Sequence, residues 1–235
     1  MGKKSTILYC FSPLVMIITF SLEWLMAMVA FLGYRRTKFG QLAIFLLICL
    51  GLFQLTEYIV CTNLGPNRLW TLIGLVAITL LPPLGAHLVG HLTGRNFGVR
   101  VSYFLATIFI LLFALVPTAV NGSVCTGNYM IISVTEPIGL AYGLYYFGFL
   151  SWSIGLAWFG RRVAQNYQAV LNWLMVGYLS FMVPMAIVYV LSEGAREAVP
   201  SIMCGFALIL AIILIGRVLP LYHAIAIQTK KTRAR

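Results

Sequence analysis

The sequence predicts an all-α, polytopic integral membrane protein with seven transmembrane helices, an N-terminus outside and a C-terminus in the cytoplasm. Hydrophobic residues make up 61% of the 235 positions and charged residues only 9%, whereas a soluble domain averages roughly 25% charged residues. Apolar runs long enough to cross a bilayer follow one another along the chain, and the cations gather in alternate connections. We therefore expect most of the chain to lie in lipid, as a single domain.

The predicted spans are apolar runs that can each cross the ~30 Å hydrocarbon core at about 1.5 Å of rise per residue. A helix is the expected form because it satisfies its own backbone hydrogen bonds in lipid. The first run is too long for a signal peptide and is interpreted as a retained helix. Prolines are expected to kink the third, fourth and sixth spans. The predicted spans are 7–33, 41–61, 69–92, 101–120, 137–160, 169–191 and 200–221, with a basic cytoplasmic tail at 222–235.

The orientation follows from the distribution of Lys and Arg, which favour the cytoplasmic side of a membrane. Twelve of the 16 Lys and Arg residues lie in the first, third and fifth connections, at the end of the last span or in the tail. Only four lie on the opposite side, although two of these precede the first span and by themselves favour an internal N-terminus. The opposite four are Lys3, Lys4, Arg68 and Arg196.

The net charge of +11 does not indicate nucleic-acid binding. A nucleic-acid-binding protein clusters its cations on one folded face, whereas here they lie at the ends of apolar runs. Membrane lipid is the expected partner. The cations either only set the topology of the helices or also attract anionic lipid headgroups. A homo-oligomer is compatible with the sequence.

Two cysteines, Cys61 and Cys125, lie in predicted outer connections. In an oxidising compartment they could form a disulfide. The alternative is that each is a small buried hydrophobic residue or a free thiol.

Four ionisable residues are predicted toward the cytoplasmic half of the bundle: Glu23, His87, His91 and His223. An ionisable side chain in hydrocarbon costs at least a few kcal/mol, so it is expected to face the bundle interior and to find a partner. His87 and His91 are spaced i, i+4, which places both rings on one helix face, as in a two-histidine metal site. Three interpretations stay open: a zinc site completed by Glu23 and His223, a proton-carrying pair of Glu23 and His87, or a structural polar contact between helices.

A second set of polar residues is predicted near the outer face: Cys10, Gln54, Glu57 and Glu136. Gln54 and Glu57 are spaced i, i+3, which suits hydrogen bonding to a ligand from outside or to a neighbouring helix. Glu57 lies about 25 Å from the cytoplasmic end of its helix, too far to share a site with the two paired histidines between straight helices. Glu57 is the favoured ligand-binding residue, with contact between helices as the alternative.

Missing residue types exclude several kinds of chemistry. A retinal Schiff base needs a lysine within a span, and every lysine lies at the edge of an apolar run, so retinal is excluded. The chain has no Asp, which excludes intramembrane aspartyl proteolysis. No nucleophile elbow or P-loop motif is present. The His87-x-x-x-His91 pair is similar to the zinc ligands of ceramidase-type and adiponectin-receptor-type hydrolases, whose pattern also includes an Asp that this chain lacks. Apart from that zinc alternative, no cofactor is predicted.

Three short motifs carry a resemblance to a known family. Cys10-Phe11-Ser12 opens the first span, Arg35-Arg36 ends it, and Phe53-Gln54-Leu55-Thr56-Glu57 lies in the second. This pattern resembles an uncharacterised family of bacterial multi-pass membrane proteins, a domain of unknown function, which opens with Cys-Phe-Ser and carries Gln-x-x-Glu in its second span. The likeness covers roughly the first 95 residues. It implies a bacterial cytoplasmic membrane and points to Cys10, Gln54 and Glu57, but it implies no activity.

These observations leave three hypotheses about function. The favoured one is a non-enzymatic membrane protein that binds or translocates a small ligand or a proton through an intramembrane polar cavity involving Glu57. The second is a metal-dependent intramembrane hydrolase built on Glu23 and the three histidines. The third is a signalling or assembly subunit that uses its cytoplasmic tail.

Overall fold

The computed structural model describes residues 13–62, 64, 67–125, 130–191 and 199–233. This part of the chain is helical except for one antiparallel β-hairpin and short connections. A π-helical segment, Leu214–Val218, joins the last two α-helices into one continuous run. The elements are α1 Pro13–Tyr34, α2 Lys38–Cys61, α3 Asn67–Thr79, α4 Leu81–Thr93, α5 Phe97–Leu115, β1 Val120–Cys125, β2 Met130–Val134, α6 Ile138–Val163, α7 Gln168–Leu191, α8 Val199–Ile213 and α9 Leu219–Arg233.

Six helical segments of the described chain are long and apolar enough to cross a membrane, which indicates an integral membrane protein. The predicted fifth span corresponds to α6, which is long but is not among these six. Its sequence is rich in Gly, Tyr, Trp and Ser, and these residues lower its mean hydropathy. The six segments are Leu14–Tyr34, Lys38–Cys61, Asn67–Thr93, Phe97–Leu115, Gln165–Ile187 and Phe206–Thr229.

The helix α2 lies at the centre of the bundle. It packs against α1, α3, α4 and α8 and touches both strands of the hairpin. Its buried positions are spread around its circumference rather than along one stripe, as expected of a helix with neighbours on all sides. Three polar residues in the second half of α2, Gln54, Thr56 and Glu57, are therefore held in the bundle interior.

The predicted third span is broken in two, since α3 ends at Thr79 and α4 begins at Leu81. Pro82 and Pro83 are the reason, because proline has no N–H to donate to the carbonyl four residues earlier. For Pro83 that carbonyl belongs to Thr79, and the Tyr145 hydroxyl of α6 donates to it instead at 2.7 Å. The backbone break is thus compensated by a hydrogen bond from a neighbouring helix.

The predicted fourth span, 101–120, differs from the structure at its outer end. The helix α5 ends at Leu115, Pro117 begins a short 3-10 turn, and Val120 already belongs to β1. Pro117 therefore follows a helix and does not kink one, whereas Pro184 lies inside α7. The β1 strand pairs with β2 from Val120↔Val134 to Cys125↔Met130. Strand pairing is non-local, so the hydropathy of this stretch alone did not reveal it.

The helix α6 runs alongside the broken helix α3–α4. Near its start, the Tyr142 hydroxyl lies 3.0 Å from the Thr79 hydroxyl. Near its end, a Cβ built on Gly160 would collide with the Thr93 side chain at the other end of α4. Gly139 and Gly143 have the spacing of a small-xxx-small pair, but outside the neighbouring turns of α6 no atom of the described chain lies within 4 Å of a Cβ built at Gly143. Gly160 makes the close approach instead.

Candidate functional site: a buried carboxyl cluster

Glu23 lies on the face of α1 that packs against the bundle. The buried positions of α1 recur every three or four residues, at Met16, Thr19, Glu23, Ala27 and Ala30, which is the spacing of one helix face. The opposite face is apolar and exposed, as expected of a surface in contact with lipid. Glu23 itself is 0% exposed, so its carboxyl group points into the protein.

A close approach at Gly51 brings Glu23 against α2. A Cβ built on Gly51 would lie 2.7 Å from Trp24 Cδ1 and 3.5 Å from Glu23 Cβ. The first distance is shorter than side-chain packing allows, so glycine lets α1 dock at this depth. Gly51, Gln54 and Glu57 follow one another at intervals of three residues along one face of α2. Glu23 therefore lies beside the face that carries Gln54 and Glu57.

Gln54 and Glu57 are as deeply buried as Glu23. Their exposed fractions are 2% and 1%. Glu57 lies six residues beyond Gly51 on the same face of α2, which is about 9 Å of helical rise. We call Glu23, Gln54 and Glu57 the buried carboxyl cluster.

The β-hairpin closes the cluster on the side away from the α1–α2 connection. Glu57 Oε1 accepts a hydrogen bond from the backbone N–H of Met130, the first residue of β2, at 3.5 Å. One helical turn further along α2, Cys61 forms a disulfide with Cys125 of β1, with the two Cα atoms 5.3 Å apart. These are the two outer cysteines that the sequence allowed to pair. Both strands of the hairpin are thus attached to the end of α2 that carries Glu57.

Several polar atoms of the cluster have no hydrogen-bond partner within the described part of the chain. They are both carboxyl oxygens of Glu23 and the amide nitrogen of Gln54, all of them buried. A buried polar group without a partner costs roughly 1–3 kcal/mol, and more if it is charged. Such groups are rare in native proteins and call for an explanation. A bound proton would remove the negative charge of Glu23 and turn the carboxyl group into a hydrogen-bond donor.

The three histidines predicted with Glu23 each have a separate aromatic neighbour. Within the ranges that the structure describes, no group of three His, Cys, Asp or Glu residues is placed to hold a metal ion. Glu23 lies instead with Gln54 and Glu57, which the sequence grouped separately. In the order of the chain, His87 Nδ1 lies 3.3 Å from Tyr103 Oη, His91 Nε2 lies 3.4 Å from Tyr222 Oη, and the His223 ring packs edge-on against Tyr34 with centroids 5.6 Å apart.

Two further residues of the predicted outer site are not part of the buried carboxyl cluster as the structure describes it. Cys10 falls outside the described residues, and Glu136 is exposed in the turn before α6. Sequence reasoning missed the backbone N–H of Met130, because a hairpin was not expected. It also missed Gly51, although a glycine three residues before Gln54 on the same helix face is a signal that could have been found.

Comparisons with known proteins add no family to these observations. No protein-family model matches the chain, and no curated protein matches it.

Proposed function

We propose that this chain binds a proton at the buried carboxyl cluster, as a step in moving protons across the membrane. The observation that carries this proposal is the position of Glu23. Its carboxyl group is fully buried in the middle of an apolar helix, and neither oxygen has a hydrogen-bond partner among the described residues. Ionisable residues inside membrane proteins mark ion pathways and proton relays.

A proton fits this cluster better than a metal cation does. Ca²⁺ and Mg²⁺, the cations that prefer oxygen ligands, take roughly six or more of them, whereas a proton needs one carboxyl oxygen. Two neighbouring carboxyl groups bind protons in a coupled way, because protonation of either one removes its repulsion of the other. On α2, Gln54 lies between Glu57 and the position where Glu23 of α1 packs. Its side-chain amide can both donate and accept a hydrogen bond.

Gln54 and Glu57 also carry the motif in the resemblance to a bacterial membrane family. We therefore propose the bacterial cytoplasmic membrane as the location of the protein. The disulfide on the hairpin supports an outer face in an oxidising compartment. The resemblance supplies no activity, so the assignment of proton binding rests on the cluster.

We further propose that α6 is a seventh span, so that the two ends of the chain lie on opposite sides. Its 26 residues extend about 39 Å at about 1.5 Å per residue, which exceeds the hydrocarbon thickness. Its contacts with Thr79 and Thr93 show that it runs in the same direction as α4 toward the same end. Arg161 and Arg162 at its C-terminus support a cytoplasmic position for that end.

The proposal is tested by infrared spectroscopy and proton flux on the purified protein. We expect the wild type to show a carbonyl stretch of a protonated carboxylic acid that titrates with pH, and Glu23→Gln to lose it. In liposomes with a trapped pH dye, we expect proton flux driven by a membrane potential, and we expect Glu23→Gln and Glu57→Gln to reduce it to the rate of empty liposomes.

The matched control is Glu136→Gln, which removes an exposed carboxyl group without touching the cluster. It should keep both the infrared band and the flux. Thermal unfolding of every variant separates loss of function from loss of fold. A carboxylic-acid band that persists in Glu23→Gln, or wild-type flux equal to that of empty liposomes, would show the proposal to be wrong.

A further inference from the structure

A second feature of the structure, distinct from the carboxyl cluster, is a cleft on the predicted outer face. It lies between the first turns of α3, the end of α5 and strand β1, and its volume is about 350 Å³. That volume is at the lower end of the range for small-molecule sites. Leu72 and Phe113 form an apolar side, whereas Asn67, Arg68 and Asn121 form a polar side.

Hydrogen bonds between elements hold the polar side in place. The Thr71 hydroxyl donates to the Asn67 carbonyl at 2.6 Å, so its oxygen is left to accept from the Ser123 hydroxyl, 2.7 Å away. This contact joins the hairpin to α3. On the other side of β1, the Thr135 hydroxyl donates to the Thr118 carbonyl at 2.6 Å, and its oxygen lies 3.2 Å from Asn121 Oδ1.

Asn121 occupies a β-bulge. The strand register passes from Val120↔Val134 directly to Gly122↔Ser133, so Asn121 is the extra residue. Bulges redirect side chains and are common next to functional sites. The amide nitrogen of the Asn121 side chain carries two N–H groups that can donate to a ligand in the cleft.

Arg68 supplies the charge of the cleft. Of the residues that the structure describes, it is the only Lys or Arg on the predicted outer side, and no hydrogen bond or ion pair in that part of the chain engages its guanidinium group. A guanidinium group presents paired N–H donors that match the oxygens of phosphate or carboxylate groups. The side-chain amides of Asn67 and Asn121 add further donors, which suits the larger number of acceptor oxygens on a phosphate.

We propose that this outer cleft binds the phosphate group of an organic phosphate, with Arg68 as the main anchor and Asn67 and Asn121 as supporting donors. Leu72 and Phe113 pack against the organic part, since the cleft is larger than an inorganic ion requires. The same phosphate chemistry is offered by a lipid headgroup at the membrane surface and by a soluble phosphate ester. This inference does not depend on proton binding at the carboxyl cluster.

The test uses the full chain purified in a maltoside detergent, which contains no phosphate. Native mass spectrometry measures retention of phosphatidylglycerol, with diacylglycerol as the lipid without phosphate, and glycerol 3-phosphate is then added as a soluble competitor. We expect selective retention of phosphatidylglycerol. We expect Arg68→Gln to weaken it by about tenfold or more, in line with the loss of a charge-assisted hydrogen bond. Arg68→Lys should weaken it less.

Arg95→Gln is the matched control, because it removes an exposed cation at the opposite end of the molecule. Asn121→Ala is a second variant within the cleft, and thermal unfolding confirms that each protein is folded. Competition by glycerol 3-phosphate would identify a soluble source of phosphate, and its failure to compete would identify a lipid. The proposal is overturned if diacylglycerol is retained equally, or if Arg95→Gln weakens binding as much as Arg68→Gln does.

Discussion

Two buried tyrosines donate hydrogen bonds to main-chain carbonyls of the broken helix α3–α4, but the two carbonyls differ. Tyr145 donates to Thr79 O at 2.7 Å, and this carbonyl has lost its usual helical partner because Pro83 has no N–H. Tyr178 donates to Gly85 O at 3.0 Å, which also has the N–H of Val89 within α4. The Tyr145 hydroxyl is therefore the more important of the two.

Replacing each tyrosine by phenylalanine tests this difference. We expect Tyr145→Phe to lower the free energy of unfolding by about 1–3 kcal/mol, because a buried carbonyl is left unpaired, and Tyr178→Phe by about 0.5–1.5 kcal/mol. Unfolding in detergent with increasing denaturant measures both. Equal losses in the two variants would mean that water or another group satisfies the Thr79 carbonyl.

Also at the scale of single residues, the sequence predicts that Glu23, Gln54 and Glu57 lie inside the bundle, and all three are buried, but it does not predict how they are grouped. Glu136, from the same predicted outer set, is exposed. All three are polar groups in apolar runs, where an unpaired polar group is costly, so each is expected to face the interior. The depths of Glu23 and His87 along straight helices predict that these two residues can meet. Depth does not specify which face of a helix meets which neighbour, so the pairing of Glu23 with α2 required the structure.

At the scale of elements, the contact of α1 with α2 decides whether the carboxyl cluster exists at all. Gly51 allows this contact, since a Cβ there would lie 2.7 Å from the Trp24 ring. In contrast, outside the neighbouring turns of α6, a Cβ at Gly148 meets no atom of the described chain within 4 Å. The two glycines therefore provide a matched comparison between a packed position and an open one.

We expect Gly51→Ala to lower the free energy of unfolding by about 1–3 kcal/mol, the usual cost of overpacking. Gly148→Ala should be neutral or stabilising by up to about 1 kcal/mol, because alanine favours the helix. Denaturant unfolding in the same detergent compares them directly. If Gly51→Ala proves as stable as the wild type, Trp24 can move aside freely and α1 is not held at this depth.

The hairpin is the element that the sequence did not predict. Its two strands, Val120–Cys125 and Met130–Val134, are short. They lie at the end of one predicted span and before the start of the next. The strands are held together by hydrogen bonds between two separate segments, and the mean hydropathy of a sequence window carries no information about such pairing. As a result, the sequence predicted neither the contact of the hairpin with Glu57 nor the outer cleft.

At the scale of the whole molecule, the proposed topology places the hairpin outside and the ends of α1 and α6 inside. The disulfide joins the last residue of α2 to the hairpin, so the second connection and the hairpin lie at the same end of the bundle. Arg36 and Arg162 are exposed and are predicted at the other end. A cysteine introduced at any one of these positions shows, through its labelling, on which side of the membrane that position lies.

The experiment begins with a variant in which Cys10, Cys49 and Cys204 are replaced by serine. In intact cells, we expect a membrane-impermeant maleimide to label Ser133→Cys, and to label Arg36→Cys and Arg162→Cys only after permeabilisation. External labelling of Arg162→Cys alone would mean that α6 does not cross. External labelling of Arg36→Cys with protection of Ser133→Cys would reverse the orientation.

The sequence by itself determined that this chain folds as apolar helices, because a backbone in lipid has to satisfy its hydrogen bonds within each segment, and this requirement is local. It also indicated which ionisable side chains would be buried, since Glu23 and Glu57 lie inside apolar runs. Only the tertiary structure decided that these two carboxyl groups share one site under a disulfide-linked hairpin. Lipid is as apolar as the helix surfaces, so hydrophobicity does not choose which helices meet. Close packing at glycines such as Gly51 and hydrogen bonds between elements make that choice.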